Sequence, residues 1–290
     1  MVAIIKRNFR LDTLLVNLSL LLIVVICLLP FVWSVSSSLK GRDELFQTLP
    51  SLLPKEPTLG NYYWIFTRRD MSMIPINMFN SFKVTLLAVV IQTSLATMAG
   101  YAFARLEFKG RDLMFYGLIL LIFVPRAGGL MAVYELMDFL NLRNSHIGLA
   151  LLFSSAMSTA VFIMRQNFLN IPRELEESAI IEGANTWQVF LYVAAPLARG
   201  GMVVVALFEF LYVWGEYLMT RTLIDFPELE TLSVAVAKIS GWAALFTSSA
   251  FSTYGSEAAA HVVAMTPVII IFILMQRWFI RGLTEGVLKM

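Results

Sequence analysis

Long runs without charged residues constrain the fold of this chain more than any other feature of its sequence. Residues 13–36 and 84–104 contain no aspartate, glutamate, lysine or arginine. The hydrocarbon core of a bilayer is about 30 Å thick, and about 20 helical residues are needed to cross it. Each of the two runs is therefore long enough to span a membrane as one α-helix.

Four further apolar stretches of similar length bring the predicted number of spans to six. They cover residues 113–136, 146–165, 200–219 and 257–278. The first of these four is irregular, because Arg126 and the pair Gly128-Gly129 interrupt it. The sequence therefore predicts an all-α integral membrane protein, with six transmembrane helices in a single transmembrane domain over residues 1–290.

The composition excludes soluble proteins and several kinds of site. Charged residues make up 14% of the chain and hydrophobic residues 58%, whereas soluble domains contain about 25% charged residues. A net charge of +2 is too small to indicate nucleic-acid binding, and the single Cys27 provides neither a disulfide nor a metal-binding cluster. No lysine follows a glycine, so the G-K-[ST] segment of a phosphate-binding loop is missing. H-E-x-x-H and G-x-S-x-G motifs are missing as well, so we predict no catalytic residue, no metal and no cofactor bound by this chain.

The distribution of lysine and arginine predicts which side of the membrane each connection faces. Basic residues collect at both termini and in the second and fourth connections, at 105–111 and 165–199. Because cytoplasmic loops carry such an excess, we place both termini and these two loops in the cytoplasm. Residues 40–80 also contain basic residues, but this connection is long, and long loops count for less in this rule. Its four prolines and its cluster Tyr62-Tyr63-Trp64 favour an ordered external loop.

The first half of the connection 165–199 is predicted to form a short helix. Pro172 suits the first turn of a helix. Three carboxylates follow where the helix dipole favours negative charge, at Glu174, Glu176 and Glu177. Gly183 is the predicted end of this helix.

A second helical pattern starts near Thr186 and ends at Pro196. Its apolar stripe consists of Trp187, Phe190, Leu191 and Ala194. A helix pair with carboxylates on one side and an apolar stripe on the other could insert into a groove of a cytoplasmic partner. It could also lie self-packed at the membrane interface, and the residue pattern alone leaves both interpretations open.

The same loop resembles the signature loop of permeases in binding-protein-dependent ABC importers. That signature reads E-A-A, three residues, G, nine residues, I, one residue, then L-P. The residues at those spacings are Glu177-Ser178-Ala179, Gly183, Val193 and Ala195-Pro196. The three departures, at 178, 193 and 195, are small or apolar replacements. Two neighbouring segments are similar as well, Pro172-Arg173-Glu174-Leu175 and Glu182-Gly183-Ala184.

The resemblance extends over nearly the whole chain and is to the carbohydrate branch that contains the second maltose permease subunit. Similar segments include Ser38-Leu39-Lys40, Asn61-Tyr62, Asn80-Ser81, Ala99-Gly100-Tyr101-Ala102, Ala104-Arg105, Phe108-Lys109-Gly110-Arg111 and Arg281-Gly282-Leu283. The W-N-acid-aromatic motif of the fifth span appears as Trp214-Gly215-Glu216-Tyr217, which lacks the asparagine. No role of that asparagine at the pore is therefore carried over to this chain.

The resemblance implies a permease subunit that forms half of the pathway for a sugar or oligosaccharide across the bacterial inner membrane. The implied partners are a second permease subunit in a heterodimer, two ATPase subunits that hold ATP and magnesium, and an external solute-binding protein. The implied ATPase-coupling residues are Glu177, Ser178, Ala179, Glu182, Gly183, Ala184 and Pro196. Glu177 occupies the position that contacts the ATPase in the family.

Glu209, Glu216 and Arg126 lie inside predicted spans, where a charge is costly and usually faces a cavity or another charge. At about 1.5 Å per residue, Glu209 lies near the midplane and Glu216 near the outer edge, at a depth close to that of Arg126. We therefore predict an Arg126–Glu216 ion pair, with direct sugar contact as the alternative for Glu216. Glu209 is predicted to line the translocation pathway, and Trp214 belongs to the same set of candidate residues.

Two other classes of transporter are compatible with these patterns. An ABC permease for amino acids, metals or phosphate would share the loop signature, and only the terminal segments favour a carbohydrate. A proton-coupled secondary transporter could use Glu209 and His261 as a relay, although an interface role for His261 is favoured. Transport in vesicles without ATPase subunits distinguishes the secondary transporter from an ABC permease.

Overall fold

The computed structural model describes residues 2–45, 51–67, 73–124, 129–243 and 253–284. Helix accounts for 81% of the structure, and the described ranges contain no β-strand. The prediction of an all-α protein is therefore confirmed.

The helices follow one another along the chain with mostly short connections. In chain order they are α1 (Val2–Ser38), α2 (Arg42–Leu45), α3 (Gly60–Thr67), α4 (Ile74–Arg105), α5 (Arg111–Leu120), α6 (Leu130–Phe139), α7 (His146–Ser154), α8 (Ser158–Leu169), α9 (Glu174–Ile181), α10 (Thr186–Val189), α11 (Ala195–Leu197), α12 (Arg199–Gly215), α13 (Leu218–Leu223), α14 (Leu232–Ala243) and α15 (Thr253–Thr284). A π-helical turn, Phe190–Ala194, joins α10 to α11. Short 3₁₀ turns cover Leu121–Phe123 and Pro227–Leu229.

Among the described residues, three helices are long and apolar enough to cross a membrane as single elements. The segments that meet this test are Thr13–Ser38, Ile74–Arg105 and Tyr254–Arg277. They cover the first, second and sixth predicted spans, but α4 begins ten residues before the predicted start at 84. Pro75 explains the earlier start, because proline is favoured in the first helical turn, where an N–H group has no partner to lose.

The fourth predicted span is a bent pair of helices, and a second bend separates the predicted cytoplasmic helix that starts near Thr186 from the helix of the fifth predicted span. α7 meets α8 at 54°, and Thr186–Leu197 meets α12 at 74°. The first bend falls where Ser154 and Ser155 donate from Oγ to carbonyls three residues back, at 3.1 and 2.6 Å. Gln92 Nε2 donates to the Ala156 carbonyl inside the bend at 3.2 Å. Polar side chains therefore satisfy backbone carbonyls where the helical hydrogen bonds are interrupted.

The third predicted span is divided between α5 and α6. Arg126 belongs to residues 125–128, which lie outside the described residues. In the described part of the chain, three helices satisfy the length and composition of a membrane span, or five segments if each bent pair is one span. Six spans therefore stay a prediction.

The Cα positions divide the chain into two compact units, each with contacts among its own residues. The first comprises Met1–Ser72 and Val236–Met265, and the second comprises Met73–Ala235 and Thr266–Met290. The predicted single domain over 1–290 therefore stays a prediction.

In the first unit, the end of α1 is fixed by a side chain of α3. Asn61 Nδ2 donates to the carbonyls of Ser38 and Lys40, each at 2.9 Å. The last carbonyls of a helix have no intrahelical partner, so Asn61 supplies the donor that they need. A Cβ on Gly255 would lie 2.6 Å from Asn61 Nδ2, so the start of α15 also packs closely against this residue.

The second unit is organised around α4, which packs against α7, α8 and α12. A Cβ on Gly100 would lie 2.5 Å from Met164 Cβ and 2.9 Å from the Arg165 backbone nitrogen. The backbones of α4 and α8 therefore approach at Gly100 more closely than a side chain permits. The same end of α4 contributes to a buried apolar cluster that contains Tyr101 and Phe190.

The opposite end of α4 anchors the turn between α13 and α14. Asn77 and Asn80 donate from Nδ2 to the carbonyls of residues 228 and 230 at 2.7–3.0 Å. Ser81 Oγ accepts the backbone N–H of Leu232, the first residue of α14, at 2.8 Å. All three polar side chains are buried, so these hydrogen bonds are shielded from water and fix the turn to α4.

Candidate functional site

The connection between α8 and α12 starts with a short acidic helix. α9 covers Glu174–Ile181 and has Glu174, Glu176 and Glu177 in its first turn, where carboxylates interact favourably with the helix dipole. Ser178 Oγ donates to the Glu174 carbonyl at 2.8 Å, so this side chain bonds within its own helix. The structure places this helix where Pro172 and the carboxylates predict it.

A sharp turn at Gly183 separates α9 from α10. Gly183 has φ +92°, a conformation that side chains with a Cβ disfavour. The Ala184 N–H donates to the Ala179 carbonyl at 3.0 Å, and the Gly183 N–H donates to the Ile180 carbonyl at 2.9 Å. This pair of bonds is a Schellman motif, which satisfies the last carbonyls of α9.

The second helix begins with a reciprocal capping box. Asn185 Oδ1 accepts the Gln188 N–H at 2.9 Å, and the Gln188 side chain accepts the Asn185 N–H at the same distance. These two side chains satisfy donors that the first turn of a helix leaves unpaired. Asn185 and Gln188 were not among the predicted site residues, although an asparagine three residues before a glutamine is a recognised signal for a helix start.

The predicted apolar stripe divides into a buried and an exposed part. Phe190 and Ala194 are buried, whereas Trp187 is 57% exposed and Leu191 41% exposed. Pro196 does not end the helical segment, because α11 continues to Leu197 with the proline in its first turn. The π-helical turn before it changes the helical phase, so residues spaced for one α-helical stripe do not share one face.

A buried ion pair joins α9 to the end of α4. Arg105 Nε lies 2.7 Å from Glu176 Oε1, and the two side chains are 7% and 8% exposed. Tyr101 OH donates to the other carboxylate oxygen of Glu176 at 3.2 Å. Arg105 also donates from Nη2 to the Ile171 carbonyl at 2.7 Å. The sequence predicted neither this pair nor a role for Tyr101, because no local pattern links residues so far apart in the chain.

The neighbouring Glu177 is exposed, as are Ser178, Glu182 and Gly183. Ala179, Ala184 and Pro196 are half-buried. Two adjacent glutamates of one helix therefore have different environments. Glu176 holds α9 against α4, and Glu177 is accessible to a partner.

Large apolar side chains are exposed on the same helix pair. Ile181 is 87% exposed and Tyr192 76% exposed. Trp187 borders a groove of about 230 Å³, lined by Met98, Tyr101, Ala102, Leu106, Thr186, Trp187 and Phe190. Exposed apolar side chains on a segment that also exposes a carboxylate, here Glu177, are typical of a protein docking surface.

The predicted intramembrane residues lie in different settings. Glu209 is buried within α12, and Trp214 is buried near the end of the same helix, with its ring centroid 4.8 Å from that of Phe82. Glu216 follows the end of α12. Its carboxylate accepts the backbone N–H groups of Met219 and Thr220 at 2.8 and 3.0 Å, so it caps α13.

The predicted Arg126–Glu216 pair stays a prediction, because Arg126 lies outside the described residues. His261 Nδ1 lies 2.9 Å from the Glu257 carbonyl, one turn earlier in α15. Within the described ranges, no group of three or more His, Cys, Asp or Glu side chains is placed to hold a metal ion.

Comparison with known families gives one match that covers most of the chain. Residues 96–285 match the family described as the binding-protein-dependent transport system inner membrane component. This range includes the end of α4, both helices of the connection and α12.

Several curated proteins are similar over nearly their full length. The chain is 30% identical to the galactooligosaccharides transport system permease protein GanQ of Bacillus subtilis, over 90% of each chain. It is 32% identical to the trehalose transport system permease protein SugB of Mycobacterium tuberculosis, over 92% of this chain and 94% of the relative. It is 31% identical to the maltose/maltodextrin transport system permease protein MalG of Vibrio parahaemolyticus, over 86% of each.

A solved structure shares the fold. One chain of a bacterial ABC transporter involved in the import of the acidic polysaccharide alginate superposes with a TM-score of 0.83. The alignment covers 94% of this chain and 98% of the other, at 21% identity. At that identity the likeness shows the fold alone.

Proposed function

The chain belongs to the family of inner membrane components of binding-protein-dependent transport systems, and we propose that it forms half of the translocation pathway of an ATP-driven sugar importer. The solute is a sugar or oligosaccharide, since the relatives named above are permeases for galactooligosaccharides, trehalose and maltodextrin. The chain supplies the pathway and has no ATPase motif of its own.

Coupling to ATP takes place at the helix pair α9–α11, in which α9 is the first helix and the continuous segment from α10 to α11, Thr186–Leu197, is the second. The observation that carries this proposal is the contrast between Glu176 and Glu177. The first is 6% exposed and paired with Arg105, whereas the second is exposed on the same helix as the exposed Ile181. A helix pair that is held by a buried ion pair and also exposes apolar side chains suits insertion into a groove of an ATPase subunit. Movement of that groove on ATP binding would then move the helices that follow the pair.

The complete transporter contains this chain, a second permease in a heterodimer, two ATPase subunits that hold ATP and magnesium, and an external solute-binding protein. The chain crosses the bacterial inner membrane six times, with both termini and the connection 165–199 in the cytoplasm. Residues 40–80 lie outside. Glu209 faces the pathway, where an ionisable side chain is less costly than in lipid.

Cysteine labelling is expected to place the helix pair and the α13–α14 turn on opposite sides of the membrane. In a Cys27→Ser background, Glu228→Cys should react with an impermeant maleimide added to intact cells, and Gln188→Cys should react only after permeabilisation. Both native side chains are exposed, so access is decided by the side of the membrane. Reaction of Gln188→Cys in intact cells would show that the proposed topology is wrong.

Solute uptake tests the function itself. Proteoliposomes that contain both permeases and the ATPase should accumulate one labelled saccharide from a panel of trehalose, maltotriose and galactooligosaccharide. Accumulation should require internal ATP and the loaded binding protein, and it should be unchanged when an uncoupler collapses the proton gradient. Uptake of amino acids or phosphate instead would assign the chain to another class of ABC permease. Uptake driven by a pH gradient without ATPase subunits would contradict the proposal.

A further inference from the structure

Arg105 is placed to respond to any movement of α9. It is the last residue of α4, and its guanidinium bonds both Glu176 in α9 and the Ile171 carbonyl before α9, each at 2.7 Å. The first residue of α9, Glu174, lies in the chain between these two contact residues. Because guanidinium donors are fixed in one plane, tilting α9 would break a bond or displace Arg105.

Tyr101 lies one turn before Arg105 and contacts both halves of the helix pair. Its hydroxyl donates to Glu176 at 3.2 Å, and its ring centroid lies 5.1 Å from that of Phe190 in the π-helical turn. Phe190 is buried, and so is Tyr101. The last turn of α4 is therefore attached to α9 by an ion pair and a hydrogen bond, and to the second helix of the pair by aromatic packing.

α4 is built to carry a movement along its length. Its 32 residues correspond to about 48 Å at 1.5 Å per residue. Its single proline, Pro75, stands in the first turn, so no proline interrupts the rest of the helix. At the far end Asn77 and Asn80 hold the carbonyls of residues 228 and 230. One continuous helix thus joins the candidate ATPase-docking helices to the turn that precedes α14.

We infer that Arg105 and Tyr101 are positioning residues through which the helix pair moves α4, and that α4 transmits this movement to the 227–232 turn. The inference rests on the proposed function, since the movement begins with the ATPase. It adds a route from the docking site to the opposite end of the second unit. Arg105 and Tyr101 would touch neither ATP nor sugar.

The test measures the far turn while the change is made at the near end. The complex of permeases and ATPase, with Cys27→Ser and Glu228→Cys in this chain, is labelled with a maleimide in the absence of nucleotide and after trapping with ATP and vanadate. Nucleotide should change the labelling rate at Glu228→Cys. Arg105→Lys keeps the charge but loses the planar fork, and should reduce this response by about tenfold, within the range typical of coupling between sites. Tyr101→Phe removes only the hydroxyl and should reduce the response by a smaller factor.

Arg111→Lys is the matched control. Arg111 pairs with Asp112 at 3.0 Å, and its side chain is 31% exposed. The complex with Arg111→Lys should therefore show the same nucleotide response at Glu228→Cys as the parent complex. A full response in both Arg105→Lys and Tyr101→Phe would overturn the inference, and so would a parent that binds ATPase without any response at residue 228. If Arg105→Lys does not accumulate, Tyr101→Phe decides alone. A parent complex that retains no ATPase would instead refute the proposed function.

Discussion

Replacing Glu176 with alanine is expected to lower the free energy of unfolding by about 3–5 kcal/mol, because it leaves the Arg105 guanidinium buried without its carboxylate. The pair is 2.7 Å long, and Glu176 also accepts the Tyr101 hydroxyl. Removing one partner of a buried pair costs more than the pair contributes, since the remaining charge is not hydrated. The helix pair α9–α11 would also lose its main polar attachment to α4.

Thermal unfolding of the purified chain in detergent measures this effect, with the remaining fraction of monodisperse protein as the observable. Asp112→Ala is the control, since it removes an exposed ion pair with Arg111 and should cost about 0–1 kcal/mol. A Glu176→Ala protein that is as stable as the Asp112→Ala protein would show that the buried pair does not hold the helix pair in place.

The helix pair could be predicted from the sequence because its signals are local. Pro172 and three carboxylates mark the start of α9, and Gly183 marks its end. The structure adds the Schellman bonds at Gly183 and the capping box of Asn185 with Gln188, which depend on residues only three to five positions apart. Such contacts are decided by neighbours in the chain, so the residue order contains them.

The different roles of Glu176 and Glu177 could not be predicted in the same way. Both follow Pro172 at positions that favour carboxylates, and only contact with α4 distinguishes them. Arg105 lies 71 residues earlier in the chain. The sequence gives no register between α4 and α9, so it cannot show which carboxylate faces the arginine.

Helix breaks are the second reason why the sequence alone could not predict the site in full. The prediction for Glu216 treated residues 200–219 as one continuous helix and estimated depth from a constant rise. The structure ends α12 at Gly215, and Glu216 caps α13 with its carboxylate. A break of this kind supplies backbone N–H groups as partners for a carboxylate, and estimates of depth take no account of them.

Replacing Glu177 with alanine is expected to weaken ATPase binding while leaving the permease folded. The side chain is exposed, so its loss should change stability by less than about 0.5 kcal/mol. At the docked interface, loss of one partner of a buried charge-assisted contact costs about 2–5 kcal/mol. At about 1.4 kcal/mol per tenfold, that corresponds to a dissociation constant raised by about 30- to 4,000-fold. Glu107→Ala, which removes another exposed carboxylate from a predicted cytoplasmic loop, should bind ATPase normally.

Gly183 provides a second, purely conformational change at the same site. A Cβ there meets no atom within 4 Å, so a substitution acts through φ +92° and not through a clash. Valine disfavours this conformation strongly, whereas asparagine tolerates it. Gly183→Val should therefore disturb the turn between α9 and α10, and Gly183→Asn should preserve it.

The most direct test of coupling through this helix pair is the amount of ATPase that co-purifies with matched amounts of each permease, together with solute-stimulated ATP hydrolysis. Wild type, Glu107→Ala and Gly183→Asn should retain the ATPase and its stimulation. Glu177→Ala and Gly183→Val should lose both, while these two permeases still insert into the membrane and stay monodisperse in detergent. Wild-type ATPase retention and stimulated hydrolysis in both Glu177→Ala and Gly183→Val would contradict the proposal that α9–α11 docks the ATPase.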